Sequence, residues 1–176
     1  MRWSLWLILS FFSFLVTTYA QEDSLNNKNI KVFFFPSGAK SSEGPLINGK
    51  PEGYWRSFYE NGNLRSEGNR LNGLLDGEWL FYTSEGILKN TITYREDKKN
   101  GYSLIYDSLG TTVLKQRFYV NDVLDSLQKE YYPNGCLKSE VMMKNGEKVG
   151  LEKVYAFEDG RLITENIYDE GFLKST

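Results

Sequence analysis

Residues 60–67 read E-N-G-N-L-R-S-E and residues 133–140 read P-N-G-C-L-K-S-E, nearly one phrase written twice. The glycine inside each belongs to a longer series. Gly38, Gly62, Gly86, Gly110, Gly135 and Gly160 follow one another at intervals of 24, 24, 24, 25 and 25 residues. A second series runs Gly53, Gly77, Gly101, Ser126 in place of glycine, and Gly150. A third places Asn48-Gly49, Asn72-Gly73 and Asn145-Gly146 just ahead of it, with Asn121-Asp122 standing in once. Three registers in phase define an internal repeat, and a period of this length is the mark of a stacked architecture.

The residues between the glycines identify the unit. Four positions before successive turn glycines stand Phe34, Phe58, Tyr82, Tyr106 and Tyr131, with Tyr155 in the last unit after one extra residue. Two positions after them come Leu64, Leu88, Leu137 and Leu162, Thr112 being the exception. Short runs rich in aromatic and β-branched residues on either side of a glycine turn read as β-hairpins. Asn-Gly is the strongest short-range hairpin signal, since both residues accept the positive φ that a tight turn demands. A helix is excluded by spacing: in G-E-W-L-F-Y-T-S-E-G (77–86) the apolar residues are consecutive and stop at a turn, with no recurrence three, four and seven positions on. The fold class expected is all-β, an elongated antiparallel sheet of stacked hairpins in about five to six units. A lone hairpin is marginal in water, so the aromatic column must supply the packing between units. A well-covered ring contributes on the order of 4 kcal/mol before entropy is subtracted.

The first twenty residues stand apart. One basic residue, Arg2, precedes an apolar run from Trp3 to Val16, and small residues at Thr18 and Ala20 lead into Gln21-Glu22-Asp23. This is the layout of a signal peptide cleaved after Ala20, preferred over an uncleaved membrane anchor because the run is shorter than the roughly 20 residues of a bilayer span. The organisation expected is thus a signal peptide at 1–20, a disordered linker at 21–29 and a repeat domain at 30–173. The mature chain is expected in the periplasm or outside the cell. Without residues 1–20 it holds 20 Lys+Arg against 23 Asp+Glu. That mild acidity, with no basic stripe, argues against nucleic acid as a ligand. Cys136 is the sole cysteine and no intramolecular disulfide is available. Directly after a turn glycine, with no histidine or metal to lower its pKa, it reads as a small filler.

No catalytic constellation is present. The chain has no histidine, which removes the commonest general base and zinc ligand, and no carboxylate pair stands out. The reading is a non-enzyme without cofactor or metal. Glu43, Glu67, Glu140 and Glu165 recur five positions after their turn glycines. They read as a solvated strand face partly paired with Arg65 or Lys138, in preference to an acidic docking stripe. Trp55 and Trp79 occupy equivalent places in adjacent units, with Phe81 two residues beyond. Either they pack the groove of the array or they present an aromatic platform to a partner, and they are the candidate partner-binding residues.

The units G-Y-W-R-S-F-Y-E-N-G-N-L (53–64), G-E-W-L-F-Y-T-S-E-G-I-L (77–88) and E-Y-Y-P-N-G-C-L (130–137) resemble the MORN repeat. More closely they resemble its variant in bacterial proteins of similar size, some labelled as antitoxins of toxin–antitoxin systems. The resemblance covers about residues 30–173; the third unit departs with Leu109-Gly110 at its tip, and the fourth lacks the leading glycine and the tryptophan. It implies a single-layer or gently curved antiparallel sheet without an active site, and links to protein partners and, less securely, to membrane phospholipids. Three roles follow as expectations: an exported scaffold binding an unidentified protein through its sheet face or edge, an antitoxin or immunity protein, and a lipid-surface protein. Missing basic clusters disfavour the last.

Overall fold

The computed structural model describes residues 30–176. The signal peptide and linker expected at 1–29 lie outside the described residues. The strands are β1 (Ile30–Phe34), β2 (Lys40–Ile47), β3 (Lys50–Pro51), β4 (Gly53–Phe58), β5 (Leu64–Leu71), β6 (Leu74–Tyr82), β7 (Leu88–Arg95) and β8 (Lys98–Tyr106). They continue as β9 (Val113–Val120), β10 (Val123–Leu124), β11 (Ser126–Tyr131), β12 (Leu137–Lys144), β13 (Glu147–Tyr155), β14 (Leu162–Asp169) and β15 (Phe172–Ser175). All join one antiparallel sheet in chain order, with the short β3 and β10 pairing beside β2 and β9. Strands therefore pair with their nearest neighbours in sequence, β2 with β4 and β9 with β11 across the short β3 and β10, the one-dimensional logic of a repeat array.

Two turn types alternate along the sheet, one on each side. On one side lie the tips that carry the first glycine series. At Tyr59–Gly62 the Gly62 N–H donates to Tyr59 C=O at 3.0 Å and the Tyr59 N–H to Asn63 C=O at 2.8 Å. The series glycines there have φ between 69° and 88°, a left-handed conformation costly for a residue with a Cβ. On the other side both central residues of each turn have positive φ, at Asn48-Gly49, Asn72-Gly73, Glu96-Asp97, Asn121-Asp122, Asn145-Gly146 and Glu170-Gly171. That is the primed geometry that matches strand twist. Glu96-Asp97 and Glu170-Gly171 complete the series that the sequence signalled only through Asn-Gly and Asn-Asp.

The aromatic four before the turn glycine and the leucine two after it are cross-strand partners. Phe58 faces Leu64, Tyr82 faces Leu88, Tyr131 faces Leu137 and Tyr155 faces Leu162, each at a register shift beside the tip. The exception at Thr112 has a geometric cause. The fourth tip, at Gly110, is one residue longer, closed by Asp107 N–H on Thr112 C=O, so Tyr106 faces Val113 instead. The last tip, closed by Ala156 N–H on Arg161 C=O, is likewise longer. Those two insertions account for the intervals of 25.

Phe34 departs from the expected interior ladder. It is 64% exposed, because β1 is the edge strand among the described residues and its ring has a neighbouring unit on one side only. Phe58, Tyr82, Tyr106 and Tyr131 are half-buried, as a single-layer sheet requires: no second layer covers them.

Candidate binding face

Residues directly opposite one another in an antiparallel sheet point to the same face. The pairings Trp55 with Gly68, Gly68 with Trp79 and Trp79 with Ile92 therefore set both tryptophans in one row across β4 to β7. Each indole lies over a glycine of the preceding strand. A Cβ built on Gly68 would stand 2.5 Å from Trp79 Cδ2, and one on Gly44 would approach the same atom of Trp55 equally closely. The indole N–H groups then reach the backbone ten residues back: Trp55 donates to Pro45 C=O at 3.1 Å and Trp79 to Asn69 C=O at 2.8 Å.

Trp55 is 7% exposed and Trp79 is 4% exposed, while Phe81 is half-buried. Of the two alternatives, the indoles pack the sheet; they form a floor and do not project. Aromatic contacts extend that floor, with Phe33 on Trp55 at 6.1 Å, Trp79 on Phe81 at 6.4 Å and Phe81 on Tyr94 at 6.5 Å between ring centroids.

Further along the row the tryptophan place is taken by Ser103 and then Gln128, both buried. Gln128 reproduces the indole bond with its amide: Nε2 donates to Phe118 C=O at 3.3 Å, again ten residues back, and to Asp125 C=O at 2.6 Å. Its Oε1 also accepts the Phe118 N–H at 3.1 Å. The sequence missed this equivalence, since glutamine and tryptophan share no composition signal; counting 24 or 25 residues from Trp79 through Ser103 finds it.

A groove of about 340 Å³ opens over the two indoles, lined by serines 42, 57 and 66, Pro51 and the three arginines 56, 65 and 70. Ser57 and Ser66 share a hydrogen bond of 2.7 Å between hydroxyls. The Arg70 guanidinium lies 5.3 Å from the Trp79 ring centroid.

The opposite face carries the tyrosine ladder. Tyr82 donates its hydroxyl to Glu67 Oε1 at 2.7 Å and Tyr155 to Glu140 Oε1 at 3.0 Å, each reaching back one hairpin. Partial burial, then the hydrogen bond and charge of Glu67, push the Tyr82 phenol well above its usual range. The same causes push Tyr54 up to about 12. Glu43 pairs with Arg56 at 3.1 Å and Lys40 at 3.0 Å. Glu43, Glu67 and Glu140 thus find arginine, lysine and tyrosine partners, whereas Arg65 bonds Ser57 and Lys138 approaches Glu130. Cys136 is exposed at its tip. Among the described residues no helix is long and apolar enough to cross a membrane.

The model of the MORN repeat variant matches residues 51–72, 75–96 and 124–145. Each match begins beside one primed turn and ends at the next, and so contains one tip with its two strands. The hairpin of β8 and β9, between the second and third matches, repeats their geometry. Over these three stretches the chain is similar to the MORN repeat variant. No curated protein matches it.

Proposed function

We propose that this chain is a non-catalytic scaffold that binds a protein partner through its open sheet, working after export as a periplasmic or extracellular protein. The MORN repeat is in general a protein- or membrane-binding unit, and the observation that carries the choice is the single layer. Two broad faces stay uncovered, with large apolar side chains such as Tyr54, Tyr102, Met142, Leu151 and Ile167 exposed along the strands. Repeat arrays use such extended surfaces for recognition. A chain with no histidine and an acidic balance supports neither acid–base catalysis nor attraction to an anionic bilayer. The antitoxin role rests on the resemblance alone.

The test is capture with the mature chain from the exported fraction of its source, followed by crosslinking to map the contact. A stoichiometric protein footprinted on the sheet is the expected result. Flotation with liposomes in place of any protein partner would overturn it, and neutralisation of a growth-inhibiting protein encoded beside the gene would favour the antitoxin role.

A further inference from the structure

The groove over Trp55 and Trp79 differs in electrostatics from the rest of its face. Its lining holds arginines 56, 65 and 70 and no carboxylate. Arg56 is neutralised by Glu43. Among the described residues Arg65 donates to the Ser57 hydroxyl, at 3.3 Å, and Arg70 to the Gly73 carbonyl, at 2.7 Å. The arginines that form ion pairs among the described residues are Arg56, Arg117 and Arg161, so two guanidinium groups flank this groove without a carboxylate.

The second groove on the face, of about 380 Å³, is lined by Arg117, Lys129 and Lys148 together with Glu130 and Glu152. There carboxylates stand among the cations: Arg117 and Lys115 meet Glu130, and Lys148 meets Glu152 at 2.7 Å. Two guanidinium groups with no carboxylate in the same lining, in a chain that is acidic overall, select an acidic occupant. The shape narrows the choice to an extended one, because the groove runs across β2 (Ser42), β4, β5 and β6 with a serine row beside an aromatic floor. Serine hydroxyls suit peptide backbone groups, the flat indoles suit apolar side chains, and a guanidinium takes a carboxylate in a bidentate fork.

Resting on the scaffold reading above, we propose that this groove is the recognition subsite and that it takes an extended acidic segment of the partner protein, with Arg65 and Arg70 holding its carboxylates.

The probe is a short fluorescein-labelled peptide of alternating glutamate and valine, titrated with the full chain by fluorescence anisotropy at low salt. Binding is expected, weakened by salt and absent for the lysine–valine counterpart. Arg65→Glu with Arg70→Glu lowers affinity about tenfold or more, whereas Arg161→Glu, on an exposed turn, leaves it unchanged. Should the Arg70 change disturb the Trp79 packing, seen as a lowered melting temperature, Arg65→Glu alone still carries the test, with a severalfold loss. Equal affinity in the charge-reversed and original chains overturns the proposal, as does displacement of the peptide by phosphatidylserine vesicles. A captured partner that the charge-reversed chain retains also overturns it and leaves the scaffold reading standing. Peptide binding without any stoichiometric protein partner counts against the scaffold reading alone.

Discussion

Trp79 lies across the backbone of Gly68, so close that a single added methyl group would stand 2.5 Å from its ring. The pair explains why a glycine sits mid-strand in β5, where glycine ordinarily weakens a sheet: its missing side chain is the socket for the indole. Gly68→Ala is expected to lower stability by about 2 kcal/mol or more, since a buried ring cannot shift without losing its bond to Asn69. Urea denaturation followed by tryptophan fluorescence measures it. An unchanged midpoint would show that the indole does not need the socket.

Lys129 faces Gln116, and continuing that register by one residue sets Gln128 opposite Arg117, where Trp79 faces Gly68. Gln128→Ala strips the Phe118 N–H and C=O of their side-chain partner and should cost about 1–3 kcal/mol. Gln128→Trp alone should be worse tolerated than Gln128→Trp with Arg117→Gly, which rebuilds the socket. Thermal melts of the three variants decide it, and a double variant no more stable than the single one would refute the equivalence.

Ser126 occupies the leading-glycine place with φ of 60°, where Gly53, Gly77, Gly101 and Gly150 are also at positive φ. Ser126→Gly removes a Cβ from a left-handed residue and should raise stability by about 0.5–1 kcal/mol, reduced by the lost hydroxyl bond to Asp125. Ser126→Val should lower it. Urea midpoints at matched m-value test both signs.

The phenols of Tyr54 and Tyr82 share the Glu67 carboxylate, and both are held neutral above their ordinary range. A pKa raised in the folded state gives stability that is whole below the unfolded value of about 10 and is lost as pH rises through the folded values. The urea midpoint should therefore fall from pH about 10 to beyond 12. Glu67→Gln, which removes the charge, should make that decline shallower; an identical slope would clear Glu67 of the effect.

The repeat, its turns and the all-β character of the described residues were legible because each rests on a local rule: positive φ favours Gly, Asn or Asp, and a cross-strand pair needs two apolar residues at fixed distances from a tip. Glu96-Asp97 escaped notice because its partner is remote. Asp97 is held there by donating its N–H to Leu75 C=O at 3.1 Å while its carboxylate accepts the Leu75 N–H at 2.7 Å. The tryptophans were legible as a pair, yet their burial was not, since the glycine beneath each belongs to a different strand. The unneutralised arginines 65 and 70 were hidden for a similar reason: sequence spacing suggested Arg65 beside the recurring glutamates, but the register turns those carboxylates to the opposite face.

Strand order that never departs from chain order makes length an independent variable. Excising one whole period, from one primed turn to the next, leaves the severed neighbours facing surfaces of the kind they faced before, so a shortened molecule closes its own gap. The reach of the molecule can be lengthened or trimmed by whole units, much as a ruler is cut at its graduations, while a fractional cut would set every later side chain on the wrong side of the ribbon.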